Sequence, residues 1–324
     1  HTYVINLKNR TDRWDAIQKA FNASGLELKR WDAVNGKELS EEHIQSITTG
    51  FCNYLCSPAM IGIWLSHYNL WKYIVDNKLN NVLILEDDAV PVDNFTGKLN
   101  EYWINIPDDW DIIFFGCSGS CDSYPNYPFV TKLVYGDNKK IDGNEHLIVP
   151  SFPLTTHAYM MSYNGAKKLI NEKLLKKVHY HIDFYMAKHI FNKDDKNINM
   201  YAFTPCLIFQ DTESPSDNIN NIHYGIGKLV EGMNASEQMK LSTFFSTNSC
   251  YIRPLGIPIT VLTLLLLLSW TLLNLIPNHT VVKVALSIIL LYEVYEVYIS
   301  NDKTKTRTIG FEIVVMMLIF FMIY

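Results

Sequence analysis

Leu83-Ile84-Leu85-Glu86-Asp87-Asp88 joins an apolar run to three consecutive carboxylates, and the reading of this junction decides the fold. The apolar part has the length and composition of a buried strand. Three uncompensated acids at one strand end repel one another, so they face solvent or hold a cation. Hard divalent ions such as Mg²⁺ or Mn²⁺ take oxygen ligands and commonly share them with phosphates. A solvated acidic turn is the plain alternative for a bare Glu-Asp-Asp, and the surrounding sequence has to choose between them.

Working outward, Ala59 to Asn77 has helical periodicity and leads into the strand Val82 to Leu85. Nearer the start, Tyr3 to Leu7 is a short apolar strand, followed by an Arg/Asp-rich turn and an amphipathic segment from Trp14 to Ala23. Beyond the acids, Asp111 to Phe115 reads as another buried strand, closed by Gly116. His157 to Ser162 precedes a helix from Ala166 to Leu175, and Tyr201 to Phe209 reads as a late strand interrupted by Pro205. Strand-like and helix-like segments thus alternate through about residue 225, the pattern of an α/β domain. The stretch from Cys117 to Val149, rich in Gly, Asn, Asp, Tyr and Pro, predicts long loops beside a site.

The chain has 324 residues and a formal net charge of −5, with basic residues spread out rather than clustered, which argues against a nucleic-acid partner. Six cysteines include two pairs at a spacing of four, Cys52/Cys56 and Cys117/Cys121. This is not the Cys-x-x-Cys spacing of common zinc sites, and buried or free thiols are expected instead of a structural metal or a disulfide.

The C-terminal part differs in kind. Pro254 to Ile276 carries no charge and is long enough to cross a hydrocarbon core of ~30 Å, so it reads as a transmembrane helix. Val281 to Ile299 is a second candidate, weakened by Lys283, Glu293 and Glu296, and Ile309 to Tyr324, with Glu312, is a short third. Helices lying in the interface, or packed on the first span, are the alternative for these two. The resulting organisation is a domain at 1–225, a polar linker at 226–252 and a membrane region of one to three spans at 253–324. Lys303, Lys305, Arg307 and Arg253 flank the spans on one side, which the positive-inside rule makes cytoplasmic, so a membrane-anchored protein with its large domain facing the cytosol is expected. Sequons at Asn22, Asn94, Asn234 and Asn278 would be usable only in a lumen.

Taken in order, the motifs resemble glycosyltransferase family 25, the lipopolysaccharide and procollagen galactosyltransferase family. Tyr3-Val4-Ile5-Asn6-Leu7 with Arg10, Asp12 and Arg13 resembles the family's first strand and its Asn-Leu-x-x-Arg-x-Asp-Arg signature. Trp31 to Gly36 resembles its Ala-Val-x-Gly element, and Gly62 to His67 with Trp71 its Gly-x-x-x-Ser-His…Trp helix. Leu85 to Asp88 matches the acidic motif, Gly165 to Leu169 the Gly-Ala-x-x-Leu element, His181-Ile182-Asp183 the Val-Asp position, and Gln210 with Ser216-Asp217 the late Gln…Ser-Asp element. The likeness covers roughly residues 2 to 218. His181, in place of the usual apolar residue, and the multi-span tail depart from the pattern.

The resemblance implies a GT-A fold, a Rossmann-type sandwich with a mixed sheet, and metal-dependent, inverting transfer of a hexose from a UDP-sugar. Galactose is the first expectation and glucose the second; the acceptor would be a hydroxyl of a glycan, a lipid-linked lipopolysaccharide or a protein hydroxylysine. A Mn²⁺ or Mg²⁺ ion on Glu86 and Asp88 would stabilise the leaving diphosphate, with Asp87 sharing metal or ribose contacts. Asn6, Arg10 and Arg13 follow the first strand, where α/β domains bind nucleotides, and Ser66 and His67 are further donor-binding candidates. A surface ion pair is the plain alternative for each Arg, and a core histidine for His67. Asp183 is the first choice for the base and Asp217 the second, with a helix N-cap the alternative for Asp183. The competing reading is a catalytically degenerate, membrane-anchored scaffold or glycan-binding protein.

Overall fold

A computed structural model describes residues 1–119, 121, 137–171, 177–191, 198–211, 222–236, 239–276 and 280–323. The chain divides into two compact units. His1–Cys52, Pro58–Pro215 and Asn234–Met239 form the first, and Asn53–Ser57, Ser216–Met233 and Lys240–Tyr324 the second.

The first unit contains β1 (Thr2–Asn6), β2 (Leu28–Asp32), β3 (Val82–Glu86), β4 (Ala89–Pro91), β5 (Ile112–Gly119), β6 (Lys139–Ile141), β7 (Asn144–Val149), β8 (Pro153–Met161), β9 (Met200–Phe203) and β10 (Ile208–Gln210). Every residue of β1 is buried, as are the first four of β3, the signature of strands covered on both faces. Eight strands form one mixed sheet in the order β2-β1-β3-β8-β5-β9-β7-β6, and β4 pairs with β10 in a small second sheet. β1 runs parallel to β2 and β3, while β8 is antiparallel to both β3 and β5. The parallel strands β1 and β3 therefore end side by side, and β8 begins where they end. Val4, Leu85, Ile113, Phe115, Ala158 and Phe203 lie in one core cluster on this sheet. Fully burying side chains of the larger kinds contributes about 1.5–3 kcal/mol each.

Helix Pro58–Asp76 packs on this layer through two glycines. A Cβ on Gly36 would sit 1.6 Å from the Pro58 carbonyl oxygen, and one on Gly62 would sit 2.5 Å from that of Val34. The Ala-Val-x-Gly turn and the Ser-His helix thus meet backbone to backbone, and only glycine permits the approach.

Three readings of the sequence change here. Tyr201–Phe209 is two strands in two sheets, β9 and β10, because the chain leaves the main sheet around Pro205. Part of the expected loop region forms β6 and β7, with the exposed Lys139 and Lys140 keeping the outermost strand from further pairing. Cys117 and Cys121 form a disulfide where thiols were expected, their Cα atoms lying 5.3 Å apart.

The second unit pairs strands Asn248–Ile252 and Ile257–Thr260 in an antiparallel hairpin and carries helices Val261–Asn274, Thr280–Ile299 and Lys303–Ile323. The expected span Pro254–Ile276 is corrected here. Gly256, at φ +66°, turns the chain into the hairpin, and Thr260 caps the helix by accepting from the Thr263 amide. The helix that follows has 14 residues, about 21 Å at 1.5 Å per residue, short of a bilayer core. Thr280–Ile299 is long enough but includes Lys283, Glu293 and Glu296. The third candidate begins at Lys303 instead of Ile309, and Lys303–Ile323 is the one helix among the described residues long and apolar enough to cross a membrane.

Candidate active site

The three carboxylates at the end of β3 receive different partners. Glu86 Oε1 accepts from the Thr156 hydroxyl at 2.6 Å and from His67 Nε2 at 3.2 Å. His67 Nδ1 lies 2.8 Å from the Tyr159 hydroxyl, which itself accepts from the Trp71 indole N–H at 2.8 Å. Trp71, Tyr159, His67 and Glu86 form one relay in which Tyr159 donates to Nδ1 and Nε2–H donates to Glu86, satisfying every group. Burial acts to raise the Glu86 pKa, but the hydrogen bonds from His67 and Thr156 hold it below its ordinary value.

Asp87 is clamped. Its Oδ2 accepts from Asn6 Nδ2 at 2.6 Å and its Oδ1 from Arg13 Nη1 at 2.7 Å, so the end of β1 and the helix Thr11–Ala20 both hold it. Asp88 is less provided for. Its Oδ2 accepts from Gln210 at 3.1 Å and lies 4.0 Å from Arg13, while its Oδ1 is buried with no hydrogen-bond partner. Burial, with the adjacent Glu86 and Asp87 charges, pushes the Asp88 carboxyl up to about 7 despite Gln210 and Arg13. An orphaned buried carboxylate oxygen beside two other acids fits a cation ligand, and Asp88 meets that test. Glu86, by contrast, already has Oε1 engaged by two donors.

A second group stands at the start of β8. Thr155 has φ +67°, a left-handed conformation that a β-branched residue adopts only under strain of about 1–3 kcal/mol. Its amide donates to Asp183 Oδ2 at 3.3 Å and its hydroxyl lies 2.9 Å from His157 Nδ1. His157 Nε2 donates to the Ile208 carbonyl at 3.2 Å, and burial lowers its pKa. Asp183 Oδ1 accepts from His181 Nδ1 at 2.5 Å and from the Phe184 amide at 2.6 Å. Against the effect of burial, His181 and the two amides hold the Asp183 carboxyl below its ordinary pKa. Burial pulls the His181 imidazole down, yet the Asp183 charge and hydrogen bond, with Glu86, leave it raised. Thr155 and Thr156, successive on β8, thus connect Asp183 to Glu86.

Of the residues singled out in the sequence, Asn6, Arg13, Glu86, Asp87 and Asp88 share this strand end, and Asp183 joins them through β8. Arg10 forms an ion pair with Asp12 at 2.8 Å. Ser66 donates to the Gly62 carbonyl at 2.6 Å and accepts from the Val34 amide at 2.8 Å, tying helix to turn. His67 is fully buried behind Glu86. Asp217 lies outside the described residues. Thr155, Thr156, His157 and Tyr159 were not singled out. The available signal was the run Thr155-Thr156-His157 ahead of an apolar strand, which means little without the register that sets it against Glu86.

The motifs carry over into comparisons with known proteins. The profile described as glycosyltransferase family 25 (LPS biosynthesis protein) matches residues 1–186. A glycosyltransferase 25 family member of Anopheles gambiae is 28% identical over 232 residues, 64% of this chain and 36% of that protein. Procollagen galactosyltransferase 2 of Homo sapiens is 28% identical over 179 residues, 52% of this chain and 27% of that protein. The chain spans about a third of the length of the curated relatives it matches. The solved galactosyltransferase LgtC is 15% identical, with a TM-score of 0.31, over 61% of this chain and 66% of the other. Mouse xyloside xylosyltransferase 1 is 10% identical, with a TM-score of 0.33, over 61% and 69%. The profile match extends over more than half of the chain and contains the Asn6/Arg13 turn, the Ser-His helix, the acidic strand end and the His181-Asp183 pair; the chain belongs to glycosyltransferase family 25.

Proposed function

We propose that the chain is a metal-dependent, inverting hexosyltransferase of GT-A type that uses a UDP-sugar, galactose before glucose, and a hydroxyl acceptor. The observation that carries this reading is Asp88 Oδ1, buried and unpartnered at the end of a parallel strand, with Arg13 and Asn6 beside it. Names among the relatives, procollagen galactosyltransferase and LPS biosynthesis protein, support galactose and a glycan or hydroxylysine acceptor.

Asp88 would hold Mn²⁺ or Mg²⁺ together with the remaining oxygen of Glu86, and the ion would offset the charge that develops on the departing diphosphate. Asn6 and Arg13 keep Asp87 in place, and Arg13 brings positive charge to the nucleotide end of the donor. In the transfer itself, the acceptor oxygen forms a bond to the anomeric carbon as the bond from that carbon to UDP breaks, and the acceptor proton must leave. Asp183, with three hydrogen bonds and a lowered pKa, is a weak proton acceptor. It acts by orienting His181 through Nδ1, so that Nε2 takes the proton. Lys303–Ile323, and the apolar residues exposed on its surface and on Val261–Asn274, support attachment to a membrane.

The test is UDP release by the full chain in detergent against a panel of UDP-sugars, with and without Mn²⁺, beside Asp88→Asn. Metal-dependent release with one donor, lost in the variant, is expected. No release with any donor and no UDP binding would overturn the transferase and favour a scaffold.

A further inference from the structure

The second unit contains a group of titratable side chains that the transfer reaction leaves without a role. His223 precedes the short helix Tyr224–Leu229, Glu293 lies on Thr280–Ile299, and Glu312 lies on Lys303–Ile323. One ligand atom from each of the three lies within 4.8 Å of the other two. His223 Nε2 is 3.3 Å from Glu312 Oε1, and Nδ1 is 3.8 Å from Glu293 Oε1, with all three side chains at most 1% exposed.

The polar atoms of this group are largely without partners. Both carboxylate oxygens of Glu293, Oε2 of Glu312 and Nδ1 of His223 are buried without a hydrogen bond. Buried carboxylates are ordinarily satisfied, and an adjacent one is: Glu296 Oε1 accepts from the Gly225 amide at 2.7 Å. Among the described residues, His223 is the only cationic side chain within ion-pair distance of Glu293 or Glu312. With both carboxylates ionised, the group keeps a net charge of −1 beside a protonated imidazole and −2 beside a neutral one, in a place from which water is excluded. Desolvation makes either state costly. A divalent cation with neutral imidazole brings the sum to zero and takes one ligand atom from each of the three residues.

We propose that His223, Glu293 and Glu312 bind one divalent transition-metal ion, Zn²⁺ by the chemistry of the ligands, as a cross-link between three separate segments of the second unit. One imidazole with two carboxylates suits Zn²⁺ and disfavours Mg²⁺ and Ca²⁺, which take oxygen ligands. The residues differ entirely from those at the end of β3. The ion ties the segment before Tyr224 to both long helices, and its role is structural.

Metal content of the full chain in detergent tests this, in an Asp88→Asn background so that the first unit contributes no ion. The chain is loaded with Zn²⁺, desalted and analysed by mass spectrometry. About one ion per chain should remain, and retention should fall at least ~10-fold when Glu293→Gln or His223→Gln is added. Glu293→Gln keeps the shape and removes a buried charge, so folding of the empty chain should survive it. Co²⁺ loading of the otherwise unaltered Asp88→Asn chain adds a measurement independent of the second substitution, the visible absorption of a bound, low-coordinate ion. A chain that retains no Zn²⁺ and shows no Co²⁺ absorption, or one that retains as much after Glu293→Gln and Glu312→Gln together, would overturn the site. Neither measurement depends on turnover, so this proposal and the transferase reading fail separately.

Discussion

At the end of β3, Asn6, Arg13, His67, Thr156 and Gln210 all donate to three acids, whereas in the second unit no N–H or hydroxyl among the described residues donates to Glu293. The difference separates two uses of a buried carboxylate. Where donors surround the acids, each side chain is positioned and one buried oxygen, Asp88 Oδ1, is left without a hydrogen bond. Where donors are missing, nearly the whole group is left that way. A count of acids in either region would not distinguish them; the count of unmet oxygens does.

The comparison breaks first at Asp88. If its open oxygen carries the chemistry, Asp88→Asn should lower UDP release roughly 10³-fold while leaving Tm within a few degrees, since Gln210 retains an acceptor. Loss of folding instead would make Asp88 a structural acid like its neighbours. His181→Gln should cost roughly 10²-fold in kcat. Because the Asp183 charge, outweighing burial, raises the imidazole pKa, His181 is a competent base only above that raised value. Activity of the parent should therefore rise with pH through it, and the variant's pH profile should lose that rise. Asp183→Asn should shift the same limb to lower pH with a smaller loss of rate; an unchanged limb would sink the pairing.

Smaller effects sharpen the distinction between positioning and packing. Arg13→Gln breaks a pair whose side chains are 14% and 13% exposed, so it should raise the KM for the donor roughly 10-fold and cost about 1–3 kcal/mol in urea unfolding. Gly36→Ala forces a Cβ against the Pro58 carbonyl and should destabilise by about 1–3 kcal/mol with kcat/KM of the folded fraction retained. Ser66→Ala should be the mildest, about 1 kcal/mol by thermal unfolding with unaltered kinetics, because its hydroxyl faces backbone on both sides. A tenfold fall in kcat/KM for Ser66→Ala would return that residue to the donor site.

Much of the frame is legible in the sequence itself. β1 and β3 announce themselves because strands buried on both faces must be continuous apolar runs, and Pro58–Asp76 because its apolar positions recur at helical spacing. β6 was hidden by its polar, exposed positions, β7 by the polar Asn144-Glu145-His146 that opens it, and the break before Val261 by an apolar composition that suits strand and helix equally. Within the site, the acids were evident and their partners were not. Thr156 meets Glu86 across 70 positions of sequence, and Tyr159 meets His67 across 92. His181 stood out only as a departure from a motif, with nothing local to show that Asp183 would take its Nδ1.

The amino-acid order by itself determined that β3 would be buried and would end in three acids, since apolar periodicity and the cost of burying charge are local properties of the chain. The tertiary structure alone decided which of those acids stays open. That choice depends on β8 entering antiparallel beside β3 and on Gln210 arriving with β10, long-range pairings through which Thr156, Arg13 and Gln210 each engage one oxygen and Asp88 Oδ1 is left buried without a partner. No local stretch of sequence encodes such a pairing, because it is set by packing between segments far apart in the chain.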